Sequence, residues 1–490
     1  MPITDALSSK LKNRDLLPAA AFIGGQWVGR AESGETFEVT NPSTGAVLAT
    51  LPKMGVIEAK RAIAAAETAQ AAWAAKTGKE RGAILRKLYE LMVANADDLA
   101  AIMTAEQGKP LAEARGEILY GAAYVEWFSE EAKRVYGDTI PGHQPDKRII
   151  IIKQPVGVVA TITPWNFPNA MLARKLAPAL AVGCAVVSKP AAETPLSAIA
   201  LARLAEQAGL PGGLFNLLPS THSSDIGKEF CANKTVRKLS FTGSTEVGRI
   251  LMRQGADQIK RLSLELGGNA PFIVFDDADL DAAVEGAMVS KYRNNGQTCV
   301  CANRIYVQAG VFDAFAEKLV AAVGKLRVGD GFAEGVTTGP LIDRKAVEKV
   351  EAHLSDATRK GAKILTGGKV KEGLFFEPTV LVGATREMLL SWEETFGPVA
   401  PLFMFETVEE VIELANATEF GLASYFYARD LSRVFKVAEA LDYGMVGINT
   451  GLISTEIAPF GGVKQSGFGR EGSKYGVEDY LDIKYLCLSV

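Results

Sequence analysis

Between residues 156 and 257 the chain alternates short β-branched runs with helical segments rich in alanine and leucine. The strand-like runs include GVVATITPW, CAVVSKP and VRKLSFTG, and the helical ones include ARKLAPALAVG, LSAIALARLAEQAG and STEVGRILMRQGAD. This alternation is typical of βαβ units, whose strands lie parallel in a sheet covered by helices. The sequence therefore predicts an α/β protein, in which ligands bind beyond the carboxyl ends of the strands.

A second α/β series begins after Leu266 with APFIVFDD, so we predict a domain boundary near Gly267 and Gly268. The segments DKRIIIIKQP and YLDIKYLCLSV are extended and fit neither series. Their strand edges would need pairing, which indicates a β arm used in oligomerisation. The predicted units are a first α/β domain (1–136 and 156–266), a second α/β domain (267–468) and an arm (137–155 and 469–490).

Composition excludes several classes of protein. The chain has 490 residues, 48% hydrophobic and 22% charged, which excludes wholesale disorder. Its net charge of −4 does not favour nucleic acid as a partner. The apolar stretch 176–187 is shorter than the roughly 20 residues that span a bilayer, and the N-terminus lacks a secretory signal. We therefore expect a cytoplasmic protein without membrane association.

Cysteine and histidine are both scarce. The five cysteines are odd in number and argue against a disulfide framework. The three histidines are dispersed along the chain, which argues against a zinc site. No metal is expected.

Two segments are candidates for a nucleotide site. In FTGSTEVGRILM, Gly243 and Gly248 allow close backbone approach at a helix N-terminus, where free N–H groups and the helix dipole favour a diphosphate. The spacing differs from GxGxxG, so a glycine-rich turn is the alternative. In VVSKPAAETP, Lys189 is expected at the carboxyl edge of a parallel strand. A solvated loop lysine is the alternative there.

Three residues are candidates for catalysis. Cys299 lies in the loop NNGQTCVCANR, which could expose a thiol, although a lone cysteine is commonly a small core residue. Glu265 ends an apolar strand in SLELGGN and could face a cleft, or lie on the surface or in an ion pair. Asn166 in PWNFP could donate a hydrogen bond to an oxyanion, or form an Asx-turn.

Taken together, these segments resemble the aldehyde dehydrogenase superfamily. The similar segments, in the family's order, are PWNFP, SKPAAETP, FTGSTEVG, LELGGN, GQTC, EETFGP and PFGGVKQSG, and the similarity runs from about Asn41 to the C-terminus. The resemblance implies an aldehyde dehydrogenase-like fold with a Rossmann-type cofactor-binding domain, an α/β catalytic domain and a β oligomerisation arm. It also implies a homotetramer formed by pairing of dimers.

The resemblance implies an NAD(P)-dependent oxidation of an aldehyde. Cys299, as thiolate, would attack the aldehyde carbon, while Asn166 and the main-chain N–H of Cys299 stabilise the oxyanion. Loss of hydride to the nicotinamide would convert the thiohemiacetal into a thioester. Glu265 would activate the water that hydrolyses it, and a second implied role for Glu265 is to take the thiol proton beforehand.

The resemblance also implies the cofactor contacts. Trp165 and Ser244 would lie near the diphosphate, beside Gly243 and Gly248. Lys189 would bind the adenine ribose, and Glu394 with Phe396 in EETFGP would hold the nicotinamide ribose.

One departure from the family bears on the choice of cofactor. NAD-preferring relatives commonly carry a glutamate three residues after the lysine, whereas this chain has Ala192 and places its acid at Glu193. A missing carboxylate removes repulsion against a 2′-phosphate, which Ser188 and Lys189 could then contact. NADP is therefore favoured, with NAD as the second cofactor. The inference fails if Glu193 turns back into the ribose site.

Four longer segments resemble the succinate-semialdehyde dehydrogenase branch: KYRNNGQTCVCANR, MLARKLAPAL, NTGLISTEIAPFGG and REGSKYGVEDYLDIKY. A substrate with a distant carboxylate needs a cation, preferably a guanidinium that binds both oxygens. Arg174 and Arg293 match the branch's carboxylate-binding arginines, and Ser454 its supporting hydroxyl. Exposed helix charges are the alternative for the arginines.

Some functions remain open on the sequence alone. Glutarate semialdehyde is one methylene longer, a difference that binding pockets separate by only about 1–3 kcal/mol. An aldehyde dehydrogenase of broader specificity is a further alternative. A non-catalytic scaffold is another, but the joint presence of the three catalytic candidates argues against it. A third is a CoA-acylating enzyme, and Glu265 argues against it because it favours hydrolysis. In some branch members a cysteine at the position of Cys301 forms a reversible disulfide with the nucleophile, so such a bond with Cys299 is a hypothesis here.

Overall fold

The computed structural model describes residues 3–490, which fold around two large sheets and a small arm. Helices cover the sheets, and both helices and strands contribute buried side chains. The α-helices are α1 (Asp5–Ser8), α2 (Val56–Ala74), α3 (Gly78–Ala94), α4 (Ala96–Gln107), α5 (Leu111–Glu131), α6 (Ala170–Val182), α7 (Pro195–Gln207), α8 (Ser223–Ala232), α9 (Thr245–Gly255), α10 (Leu280–Tyr292), α11 (Phe312–Val323), α12 (Arg344–Arg359), α13 (Leu389–Trp392), α14 (Val408–Asn416) and α15 (Leu431–Ala440). Short 3-10 helices lie at Arg14–Leu16, Ala256–Gln258, Arg293–Gly296, Ala309–Val311, Lys464–Ser466 and Lys474–Tyr480.

The strands form the two sheets, the arm and two small hairpins. They are β1 (Ala21–Ile23), β2 (Gln26–Val28), β3 (Thr36–Thr40), β4 (Val47–Pro52), β5 (Asp138–Ile140), β6 (Lys147–Pro155), β7 (Val158–Ile162), β8 (Ala185–Lys189), β9 (Phe215–Leu217), β10 (Val236–Thr242), β11 (Arg261–Glu265), β12 (Ala270–Val274), β13 (Ala302–Gln308), β14 (Lys363–Thr366), β15 (Val370–Glu372), β16 (Phe375–Phe376), β17 (Thr379–Val382), β18 (Val399–Phe405), β19 (Ala423–Tyr427), β20 (Met445–Ile448), β21 (Gly467–Phe468) and β22 (Leu481–Ser489).

The first sheet has the order β2-β1-β9-β8-β7-β10-β11-β21, with β9 to β11 parallel. Its register aligns the carboxyl ends of the central strands, since Ile162 lies opposite Lys189 and Thr242 opposite Glu265. The loops that follow these strands therefore meet at one edge. That edge is where a parallel sheet binds ligands, and the predicted α/β fold class is confirmed.

The second sheet has the order β14-β17-β18-β13-β12-β19-β20. The chain passes from the first sheet to the second at Gly267 and Gly268, between β11 and β12. A Cβ on Gly268 would lie 2.5 Å from the carbonyl oxygen of Cys299, so a side chain is excluded there. This close approach holds the loop before β13 against the ligand-binding edge of the first sheet.

In the arm, β6 pairs with β22 in antiparallel register from Pro155 with Leu481 to Lys147 with Ser489, and β5 adds a third strand. Two parts of the chain differ from the predicted ranges. Strand β21, placed in the second domain, pairs with β11 of the first sheet. Residues 469–480 precede the arm strand, and Glu471 among them is buried against α6, because it pairs with cations of that helix. The domain division itself stays a prediction.

Helix α6 is buried along its whole length and carries two charged residues, Arg174 and Lys175. Its N-terminus is capped from α5 by Glu117, whose Oε1 accepts hydrogen bonds from the main-chain N–H groups of Asn169 and Ala170 at 3.0 and 3.2 Å. A carboxylate at a helix N-terminus satisfies free donors and is favoured by the helix dipole. Helix α5 therefore fixes the start of α6.

No helix among residues 3–490 is long and apolar enough to cross a bilayer. Over the same residues, no group of three or more histidine, cysteine, aspartate or glutamate side chains is arranged to hold a metal ion.

Changing Gly121 to alanine tests how closely α5 must approach α6. A Cβ on Gly121 would lie 2.5 Å from Oδ1 of Asn169, just before α6, so we expect Gly121→Ala to destabilise the protein by about 1–3 kcal/mol. Gly116 lies on the same helix, and a Cβ there would meet no neighbouring segment within 4 Å, so Gly116→Ala is the control and should stabilise by up to about 1 kcal/mol. Thermal unfolding at one scan rate compares them, and equal midpoints would contradict the packing argument.

Candidate active site

A cavity of ≈ 360 Å³ lies where the loops after β7, β10 and β11 meet loops of the second sheet. Seven of the site residues predicted from the sequence line it: Trp165, Asn166, Gly243, Ser244, Cys299, Glu394 and Phe396. The other lining residues include Met171 of α6 and Lys345, Ala346 and Lys349 of α12. The fold thus brings the predicted nucleophile and much of the predicted nucleotide site into one cavity.

The N-terminus of α9 forms one end of the cavity. Ser244 is its N-cap residue, and its Oγ accepts a hydrogen bond from the N–H of Val247 at 3.3 Å. A Cβ on Gly248 would lie 2.6 Å from Cδ2 of Leu266, so a side chain there would require Leu266 to move. Gly243 and Ser244 therefore present a helix N-terminus to the cavity, which suits an anionic group.

Lys189 and Ser188 end strand β8 on opposite faces of the sheet. Lys189 is buried, and burial lowers the pKa of its ammonium group to about 8, while the charge of Glu193 opposes this shift. Ser188 is also buried, but its Oγ is hydrogen-bonded to Oγ1 of Thr161 on β7. Successive strand residues point to opposite faces. Contact of Ser188 with a cofactor phosphate stays a prediction, and its hydroxyl would have to make that contact in addition to its bond with Thr161.

The positions of Ala192 and Glu193 are compatible with the prediction that NADP is favoured. Ala192 is partly buried and Glu193 is exposed. The carboxylate of Glu193 therefore does not turn back into a closed ribose site.

Glu394 and Phe396 line the cavity from the side of the second sheet. Glu394 accepts a hydrogen bond from the N–H of Gly268 at 3.2 Å, and burial raises the pKa of its carboxyl group to about 7. Phe396 has a left-handed main chain, φ 53°, and its ring packs edge-on against Trp165 with centroids 5.6 Å apart. These two aromatic rings link the loops from both sheets.

Cys299 lies in the loop before β13, partly exposed at the cavity. Burial raises the pKa of its thiol to about 12, whereas the positive charge of Arg174 lowers it and the charge of Glu394 raises it. The thiol of Cys299 is therefore neutral near pH 7, and the nearby cations Arg174 and Arg293 favour its ionisation.

Asn166 follows β7 and Glu265 ends β11, so both belong to the first sheet. Asn166 is buried, and its Nδ2 donates a hydrogen bond to the carbonyl of Gln297 at 3.0 Å, two residues before Cys299. Glu265 is buried with both carboxyl oxygens lacking a hydrogen-bond partner among the described residues. Burial raises the pKa of Glu265 well above its usual value, and the charge of Glu471 adds to the effect. The surroundings of Glu265 therefore favour the protonated form of its carboxyl group.

Sequence reasoning missed Glu471, which lies between Lys175 and Arg174. All three side chains are nearly inaccessible to solvent. The motif MLARKLAPAL indicates that such an acid is present, because two adjacent cations in an otherwise apolar helix require a buried acidic partner. The position of that acid, far along the chain, was not predictable from spacing.

Arg174 is in contact with Glu471 through Nε, and its guanidinium carbon lies 4.2 Å from the ring centroid of Phe460. Its Nη1 and Nη2 are buried and have no hydrogen-bond partner among the described residues. Arg293 is partly exposed, stacks over Phe167 at 5.2 Å, and its charge also acts on the Cys299 thiol. The exposed-charge alternative is thereby excluded for Arg174.

Ser454 and Cys301 are less closely tied to the cavity. Ser454 lies between β20 and β21, partly exposed, and its hydroxyl makes no hydrogen bond within residues 3–490. Cys301 is buried, and Nζ of Lys291 lies 3.2 Å from its sulfur. Cys299 and Cys301 are free thiols in this structure. A disulfide between them stays a prediction.

Comparison with known proteins identifies the architecture. A sequence model described as the aldehyde dehydrogenase family matches residues 27–486. A glutarate-semialdehyde dehydrogenase of Pseudomonas putida is 66% identical over 98% of this chain and 100% of its own length. An NADP-dependent succinate-semialdehyde dehydrogenase of Escherichia coli is 62% identical, with 98% and 100% covered. The crystal structure of a succinate-semialdehyde dehydrogenase from Burkholderia pseudomallei superposes with a TM-score of 0.97 at 62% identity, with 98% of this chain and 100% of that chain covered.

The raised pKa of the Cys299 thiol predicts how its reactivity depends on pH. With a pKa of about 12, the thiolate fraction of the free protein grows about tenfold per pH unit between pH 7 and 9. We expect the second-order rate of alkylation by iodoacetamide to rise in the same proportion. Mass spectrometry of the peptide containing Cys299 measures it, with Cys299→Ser as the blank, and a plateau below pH 9 would contradict the prediction.

Proposed function

Because this chain belongs to the aldehyde dehydrogenase family, we propose that it oxidises short semialdehydes that end in a carboxylate. Succinate semialdehyde is the first candidate and glutarate semialdehyde the second. The names of the relatives favour these two substrates, since enzymes named for each are more than 60% identical to this chain.

The observation that supports this proposal most strongly is the pair of guanidinium nitrogens of Arg174 that lack a hydrogen-bond partner. Its Nη1 and Nη2 are buried without partners among the described residues, and its charge acts directly on the Cys299 thiol. A buried guanidinium with two free donors is costly unless an anion binds it. A carboxylate binds such a pair of donors in bidentate fashion. A short substrate would then reach from Arg174 to Cys299.

The residues around Cys299 support the chemistry of aldehyde oxidation. Cys299 Sγ would form a bond to the carbonyl carbon, and the second N–H of Asn166 Nδ2, together with the main-chain N–H of Cys299, would bind the resulting oxyanion. Glu265 would take a proton from the water that hydrolyses the thioester. Since the pKa of Glu265 is raised by burial, this base works only after losing its own proton, so hydrolysis is expected to quicken as pH rises.

The cavity also fits a nicotinamide dinucleotide, which supplies the hydride acceptor when bound. The α9 N-terminus at Gly243 and Ser244 would hold the diphosphate. The buried ammonium group of Lys189 would bind at the adenine ribose, and the carboxyl group of Glu394 would bind ribose hydroxyls. A Cβ at Gly248 would displace the side chain of Leu266, which lines the cavity.

A homotetramer forms part of the same proposal. Strand β22 of the arm exposes Ile483, Tyr485 and Leu488, and an exposed apolar strand favours burial against another subunit. The cytoplasmic location stays a prediction.

The first experiment compares substrates by formation of reduced nicotinamide. We expect kcat/KM for succinate and glutarate semialdehydes to exceed that for butanal and pentanal by at least about a hundredfold, or roughly 2.7 kcal/mol. Arg293→Met should reduce this ratio by about tenfold or more, because one cation facing the carboxylate is lost. Lys345→Met, which removes a cation at another wall of the cavity, is the control for charge alone. Equal kcat/KM for charged and plain aldehydes in the wild type would refute the substrate class.

Cofactor preference is tested at Ala192. A carboxylate introduced by Ala192→Glu would bind ribose hydroxyls and repel a 2′-phosphate, so we expect the NADP/NAD ratio of kcat/KM to fall at least about tenfold. Ala192→Gln is the matched control, because it adds a side chain of the same length without the negative charge and should change that ratio little. A large change in the control, or none in Ala192→Glu, would count against the role of this position.

A further inference from the structure

Three consecutive residues before the nucleophile have left-handed main chains. Asn294, Asn295 and Gly296 have φ values of 51°, 56° and 74°. Asparagine adopts this conformation more readily than other residues with a side chain, but usually as a single residue, so a run of three is unusual. The contacts of the two asparagine side chains show what this conformation achieves.

The side-chain amide of Asn294 connects three separate segments. Its Nδ2 donates to the main-chain carbonyl of Asn166 at 3.0 Å and to that of Gln297 at 3.3 Å. Its Oδ1 accepts from Nε2 of Gln107, the last residue of α4, at 3.0 Å. The side chain is almost fully buried. Both N–H bonds of one amide are thus used to hold the Asn166 loop against the Cys299 loop.

The carbonyl of Asn166 has a second fixed donor. Nζ of Lys109 lies 2.7 Å from it and 2.6 Å from Oε2 of Glu117, the residue that caps α6. The carbonyl of Asn166 is therefore held by Lys109, in the loop between α4 and α5, and by Asn294, in the loop before Cys299. Its own side chain donates to Gln297, which leaves one N–H of Nδ2 for another acceptor.

We propose that Asn294 is a positioning residue for the oxyanion site. The two N–H donors, on Asn166 and on Cys299, belong to loops of different sheets, and a developing oxyanion is stabilised only if they converge at one point. Asn294 fixes their separation by bonding to the carbonyls of Asn166 and Gln297. This role rests on the proposed function, because it requires Asn166 to bind the oxyanion.

The two asparagines provide a matched pair of variants. Asn295 has the same left-handed main chain and is equally buried, but its Nδ2 donates to the carbonyl of Gly339 at 2.9 Å and not to Asn166. Asn294→Gly and Asn295→Gly each remove one buried amide at a left-handed φ. We expect kcat/KM for aldehyde oxidation to fall at least about tenfold in Asn294→Gly and less than about threefold in Asn295→Gly.

Two further reactions of Cys299 distinguish a loss of oxyanion positioning from a general loss of Cys299 reactivity. Hydrolysis of p-nitrophenyl acetate passes through a tetrahedral oxyanion and requires no nicotinamide, whereas alkylation by iodoacetamide displaces iodide without forming an oxyanion. In Asn294→Gly, ester hydrolysis should slow at least about tenfold while the alkylation rate stays within about twofold. A parallel fall of both rates, or an unchanged ester rate, would overturn the proposal.

A second pair guards against variants that fail to fold. Asn294→Asp keeps the shape and the tolerance for a left-handed main chain, but it replaces both donors with an acceptor facing two carbonyls. It should slow ester hydrolysis more than Asn295→Asp does, with alkylation again preserved, and equal effects in the two variants would overturn the proposal. If the wild type oxidises no carboxylated aldehyde, the proposed function fails, while the ester and alkylation rates still decide the role of Asn294.

Discussion

The buried ion cluster of Glu471 with Arg174 and Lys175 is the interaction on which the site depends. It joins α6 to the segment before β22, so the chain must return to the first sheet before it enters the arm. Loss of one partner in such a cluster leaves a charge uncompensated in the interior, which typically costs about 3–5 kcal/mol. The cluster therefore fixes both the position of α6 and the direction in which Arg174 presents its free Nη groups.

The same cluster sets the charges that the reacting groups experience. Glu471 disfavours ionisation of Glu265, while Arg174 favours the thiolate of Cys299. Because Glu471 is paired with Lys175 as well, Arg174 keeps a net positive influence on the cavity. Burial opposes ionisation of both Glu265 and Cys299, and the charge of Arg174 favours ionisation of both.

The sequence predicted those site residues that end strands or lie in short motifs. Glu265 and Lys189 each end an apolar run, and the register of parallel strands brings such ends to one edge. The cofactor contact of Ser188 stays a prediction, and strand alternation is a signal against pairing it with Lys189. Glu471 and Asn294 were not predictable, because the first depends on a distant pairing and the second on a left-handed main chain and on partners from two other segments.

The predicted substrate-binding residues differ in burial, and this difference is relevant to how substrate length would be selected. Arg174 is held on a buried helix by Glu471, whereas Arg293 and Ser454 lie in partly exposed segments. A fixed guanidinium selects a carboxylate as a class, since its position and donors do not adapt. Discrimination of one methylene involves only about 1–3 kcal/mol and can be set by small shifts of the more exposed residues. Proteins more than 60% identical to this chain are accordingly named for both succinate and glutarate semialdehyde, as expected if the carboxylate site is common to them and the length selection lies in the loops.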